Sequence, residues 1–177
     1  MTMLRISDND FDALRKLIDQ FGTEAENCKK AGASLAGCIM IAGALEAGIL
    51  AMAYCCEDEV SQTETFTRKS EPDLRIWGLK DLLDLAKELT WIPSTIDENT
   101  IARLSEIDPD EALRRGDVWY YADFVRETRD LVHAGRNLRL WSGIGPTKEY
   151  LDTVEETVQV VFDILYQKLI DLIKDDI

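Results

Sequence analysis

The stretch "AGASLAGCIMIAGALEAGILAMAYCC", residues 31–56, contains a single charged side chain, Glu46. A run this long and apolar must be buried, either in a bilayer or in a protein core. Glu46 stands near its middle, where a carboxylate is costly in lipid. The run is also rich in Ala and Gly rather than Leu, and the rest of the chain reads as a soluble helical protein. The expectation is therefore a protein core and no membrane. A long helix over about 24–57 is predicted as the central one. Its small residues, among them Ala36, Gly37, Ala42, Gly43, Ala44, Ala47 and Gly48, let neighbouring backbones approach closely.

Helical periodicity dominates elsewhere, and no alternating strand pattern stands out. "DNDFDALRKLIDQF" (8–21) reads as a first helix, with Phe11, Leu14, Leu17, Ile18 and Phe21 on one side and Gly22 ending or bending it. The polar segment 58–73 reads as a loop. "GLKDLLDLAKELTWIPS" (78–94) is a helix with Leu79, Leu82, Leu83, Ala86 and Leu89 apolar, stopped before Pro93. In "DPDEALRRG" (108–116), Asp108 caps, Pro109 opens and Gly116 stops a short helix. Asp117 can cap a helix over about 118–134, "WSGIGP" (141–146) is a turn, and 147–174 form a last long amphipathic helix. There is no internal repeat and no second domain, so residues 1–177 are read as one all-α bundle.

At 177 residues and 46% hydrophobic, the chain is long enough for a real core. Its net charge is −14, so its bulk field repels polyanions and any nucleic-acid contact must be local. The segment 126–139 runs against this balance, with four arginines against one Glu and one Asp. Cys28, Cys38, Cys55 and Cys56 follow no metal-ligand spacing, and His133 is the only histidine. A zinc site is therefore not expected, nor any other metal or cofactor. The cysteines read as reduced thiols of a cytoplasmic protein. The N-terminal "MTMLRISDNDFD" lacks a signal-peptide pattern.

The one histidine sits in "RETRDLVHAGRN", residues 126–137. On a helical wheel Val118, Tyr121, Phe124, Val125, Thr128, Leu131 and Val132 share one broad arc, the core face. Arg126, Arg129, Asp130 and His133 fall on the opposite arc, and Gly135 then turns the chain toward Arg136. Guanidinium groups hold phosphate oxygens by paired, charge-assisted hydrogen bonds. They also favour neutral imidazole, the form a general base needs. Such a pair suits RNA cleavage without a metal. The plain structural reading is a solvated helix face with an Arg126–Asp130 surface ion pair.

"VRETRDLVHAGRN" resembles the signature of HEPN domains, in which an arginine is followed by four to six residues and then histidine. Arg126, six residues and His133 satisfy it. Arg129 to Gly135 is similar to the "RNLVHPG"-like core of bacterial members. "AGCIMIAGALEAGILA" and "GLKDLLDLAKELTWIPS" look like their second helix and the inserted helix after it, so the resemblance spans roughly 30–175. It implies an up-and-down bundle of four core helices with short inserted helices. It also implies a homodimer whose two motif helices face one cleft.

Many members are metal-independent endoribonucleases of toxin–antitoxin or defence systems. Arg126 and His133 would then be the catalytic residues, with Arg129, Asp130 and Arg136 supporting or binding phosphate. A polar residue of the second core helix often supports such a site, and Glu46 is the candidate. A carboxylate on an apolar helix needs a partner, and an arginine of the motif is the natural one. A purely structural ion pair is the rival reading of Glu46.

The departures are specific. Glu127 or Asp130 stands where the family has Asn after the motif arginine, and Ala134 where it has Pro after His. No Tyr follows His133 closely, so control by modification there is not supported. The competing expectation is a catalytically inactive HEPN-like protein that binds a nucleotide, an antitoxin or another protein partner. The acidity of the chain favours a basic partner.

Overall fold

The structure, a computed structural model, describes residues 8–69, 73–92, 125–126, 128–129 and 146–175. Nearly all of them are helical, and none is in a strand. The elements are α1 (Asp8–Lys30), α2 (Ser34–Cys55), α3 (Glu57–Ser61), α4 (Glu64–Arg68), a 3₁₀ turn (Leu74–Ile76), α5 (Leu79–Glu88) and α6 (Lys148–Asp175). The short helix expected at 108–116 lies outside the described residues, as does most of the helix expected at 118–134 and of the turn expected at 141–146.

The first helix does not stop at Gly22. It runs on to Lys30, and the break falls at Gly32, which takes a left-handed φ of 71°. There the Gly32 N–H donates to Lys29 O at 3.1 Å and the Ala33 N–H to Cys28 O at 2.8 Å. This is the paired closure that a left-handed glycine permits. The central helix therefore starts at Ser34, ten residues later than the sequence reading placed it.

α2 is long and apolar enough to cross a membrane by length and composition, with a mean hydropathy of 2.0 over its best window. Half of that window is buried inside the protein. It packs against α1, α5 and α6, with Cys38, Ala42, Leu45, Ile49 and Ala53 fully buried. Two glycines set the approach of α6. A Cβ on Gly37 would meet Leu151 at 2.7 Å, and one on Gly48 would overlap the ring of Phe162. The two contacts are eleven residues apart on both helices, so α2 and α6 run in the same direction. Phe21 lies on Gly43 and Cys28 beside Gly37, so α1 runs against them. Lys29 Nζ, at the end of α1, reaches Asp152 Oδ1 and Glu155 Oε2 on α6, each at 2.7 Å.

The segment 58–73, read as loop, contains two short helices instead. The second of them, α4, is held by caps rather than by a periodic apolar face. Thr63 Oγ1 accepts the Phe66 N–H at 3.1 Å, and the Glu88 carboxylate of α5 accepts the N–H groups of Glu64 and Thr65 at 2.5 and 3.0 Å. α5 is shorter than expected: it ends at Glu88, not before Pro93. Thr90 takes a φ of 55°, and the Trp91 N–H turns back to Ala86 O at 2.8 Å. Trp91 and Ile92 are thereby buried beside Leu82, Leu83 and Leu85. α6 matches its predicted extent, and Leu151, Val154, Val158, Val161 and Leu165 form its buried stripe.

Candidate functional site

Glu46 lies on the side of α2 between α1 and the motif segment. Around it are Leu14, Leu17 and Phe21 of α1 and Ile39, Met40 and Leu50 of α2, lining a groove of about 380 Å³. The Glu46 side chain is 28% exposed, so its charge is only partly hydrated. Its partner is the Arg129 guanidinium, which donates from Nη1 to Oε2. Burial pushes the Glu46 carboxyl above its ordinary range, and the charge and hydrogen bond of Arg129 oppose that rise.

Arg129 reaches Glu46 from a helical stretch. Val125, Arg126, Thr128 and Arg129 are all helical. Val125 and Thr128 are fully buried, while Arg126 and Arg129 are half-buried. This is the division between core arc and polar arc that the wheel assigns to these four positions. A hydroxyl on the core arc needs a partner, and Thr128 Oγ1 has Tyr150 Oη at 2.6 Å. The stretch carrying Arg126 is thus fastened twice, to α2 through Arg129 and to α6 through Thr128. Sequence reasoning missed the second fastening. Its available signal was a threonine on an otherwise apolar arc.

Glu46 and Arg129 are brought together, and Arg126 stands less than one turn before Arg129. His133, Asp130 and Arg136 lie outside the described residues. The groove beside Glu46 is apolar except for the ion pair, and Arg129 is committed to the carboxylate. In this arrangement Arg129 holds the stretch in position.

Among the described residues no group of three His, Cys, Asp or Glu side chains is placed to hold a metal ion. All four cysteines are free thiols. Burial pushes the Cys38 and Cys56 thiols up to about 12, which keeps them protonated and unreactive at neutral pH. Compared with known proteins, the chain matches no family model, no curated protein and no solved structure.

Proposed function

We propose that the chain is a HEPN-like, metal-independent endoribonuclease of toxin or defence type, acting as a cytoplasmic homodimer with Arg126 and His133 as its catalytic residues. The observation that carries this reading is the Glu46–Arg129 ion pair. It ties the stretch bearing Arg126 to the central helix at the position expected for a supporting polar residue. With Arg129 neutralised by Glu46, Arg126 is the arginine assigned to the phosphate. His133 takes the proton of a ribose 2′-hydroxyl, and the 2′-oxygen attacks the adjacent phosphorus. Arg126 stabilises the added charge on the phosphorane oxygens. The bond to the 5′-oxygen breaks as the imidazolium formed on His133 returns its proton to that oxygen, which leaves as a hydroxyl. The products carry a 2′,3′-cyclic phosphate and a 5′-hydroxyl. The test is RNA cleavage in EDTA by wild-type protein and by His133→Ala, with the product ends mapped.

The second reading, a non-catalytic module that binds a nucleotide or a protein partner, draws on the same ion pair. Glu46 cancels one of the motif cations in a chain already at −14, which weakens any hold on RNA. Absence of cleavage by a folded, dimeric protein would favour it.

A further inference from the structure

On the other side of α1 from Glu46 lies a second cavity, of about 300 Å³, between α1, α2 and α6. Its walls are Phe11 and Ile18 of α1, Met52 of α2, and Phe162 and Leu165 of α6. It exists because α2 is narrow there. Gly48 carries no side chain, so the Phe162 ring can lie across the helix, and Ala51 leaves the next turn open.

The polar groups at the cavity are few. Arg15 is exposed on α1, and among the described residues no carboxylate pairs with it. The Tyr166 ring stands at the rim, 67% exposed, and the Cys55 thiol lies at the end of α2. An apolar slot with an exposed guanidinium at its wall selects a ligand with an apolar tail and a single anionic head. Taking a methylene at about the 30 Å³ of a water molecule, the volume holds roughly ten carbons.

We propose that this cavity binds a free medium-chain carboxylate, its chain lying between Phe11, Met52 and Phe162 and its head on Arg15. The site is separate from the motif stretch and does not depend on the nuclease reading. The carboxylate is small enough to be enclosed and carries one charge, so the repulsion from a chain at −14 stays limited and is offset locally by Arg15.

The test is isothermal titration calorimetry of the full chain with hexanoate, octanoate and decanoate, and with 1-octanol as the neutral counterpart. Affinity is expected to rise about fourfold for each added methylene. Arg15→Gln is expected to weaken octanoate at least fivefold and to leave 1-octanol within twofold. Ala51→Phe and Ile18→Trp, which fill the cavity from two sides, are expected to abolish binding of both ligands. Should neither filled variant fold, the Arg15→Gln comparison decides. Bound decanoate is also expected to protect Cys55 from iodoacetamide, read by peptide mass spectrometry. No carboxylate binding, equal loss of octanoate and 1-octanol in Arg15→Gln, or undiminished binding in a folded filled variant would overturn the proposal. So would binding to phosphatidylglycerol vesicles in the absence of binding to the free acids.

Discussion

The Glu46 carboxylate of α2 is bonded to the Arg129 guanidinium across 83 positions of sequence, and the acid is the more buried partner, 28% exposed against 41%. That asymmetry sets the consequences of breaking the pair. Arg129→Gln strands a partly buried carboxylate and is expected to destabilise the protein by about 1–3 kcal/mol at pH 7. Glu46→Gln leaves a guanidinium that can turn to water, so it is expected to stay within about 1 kcal/mol of wild type. The double variant should resemble Glu46→Gln rather than the sum of the two. Urea unfolding checks all three. Equal destabilisation by the two single variants would contradict this asymmetry.

The same burial fixes the sign of a pH effect. The folded Glu46 carboxyl sits above its ordinary 4.5, so the folded state holds that proton more tightly than the unfolded chain does. Its contribution to stability is greatest at low pH and is lost as pH rises through the folded value. Glu88 works in the opposite direction. Burial opposes its ionisation, but the N–H groups of Thr65 and Glu64 and the Thr65 hydroxyl hold it below the usual carboxylate range. The Glu46 effect is therefore read as a difference. From pH 4 to pH 8, Glu46→Gln should gain stability relative to wild type, and the same comparison in an Arg129→Gln background should gain more. A difference that does not vary with pH would contradict it.

Glycines and one threonine give a third set of outcomes. Gly22 lies in mid-helix, and nothing stands within 4 Å of a Cβ placed there, so Gly22→Ala should stabilise by about 1 kcal/mol. At Gly48 the added methyl would overlap Phe162, and Gly48→Ala should cost about 1–3 kcal/mol. Gly37→Ala should cost less, since its close contacts are the Leu151 methyls at the flexible end of a side chain and Cys28 Cβ stands at an ordinary 3.5 Å. Thr90→Gly should stabilise by about 1 kcal/mol by relieving a β-branched residue at φ 55°. Thermal unfolding orders the four variants. Gly48→Ala melting at or above wild type would refute the close approach of α2 and α6.

Much of this arrangement was legible because it rests on periodicity. α6 declares itself by Leu151, Val154, Val158, Val161 and Leu165, and α2 by its long run of small and apolar residues. Glu46 announced the need for a cation, because one carboxylate in an apolar helix leaves few alternatives. The helix ends were not legible. Gly22 and Gly32 are the same residue, and glycine is compatible with both helix and left-handed backbone. They are distinguished in the structure by the left-handed φ of Gly32 and by the return bonds from Gly32 to Lys29 and from Ala33 to Cys28. Thr90 ends α5 in a conformation its own side chain disfavours, because burying Trp91 and Ile92 outweighs the strain. α3 and α4 had no periodic signal, since a cap from Glu88, more than twenty residues away, helps hold α4.

Arg126 and His133 are proposed to cleave RNA without a metal. The most direct measurement incubates total RNA in EDTA with wild-type protein, His133→Ala and Arg129→Gln, and maps the product ends. Wild type should leave 2′,3′-cyclic phosphate and 5′-hydroxyl ends. His133→Ala should be inactive, falling at least a hundredfold. Arg129→Gln should keep the same products at a reduced rate. No cleavage by folded wild-type protein, or cleavage that persists in His133→Ala, would contradict that proposal.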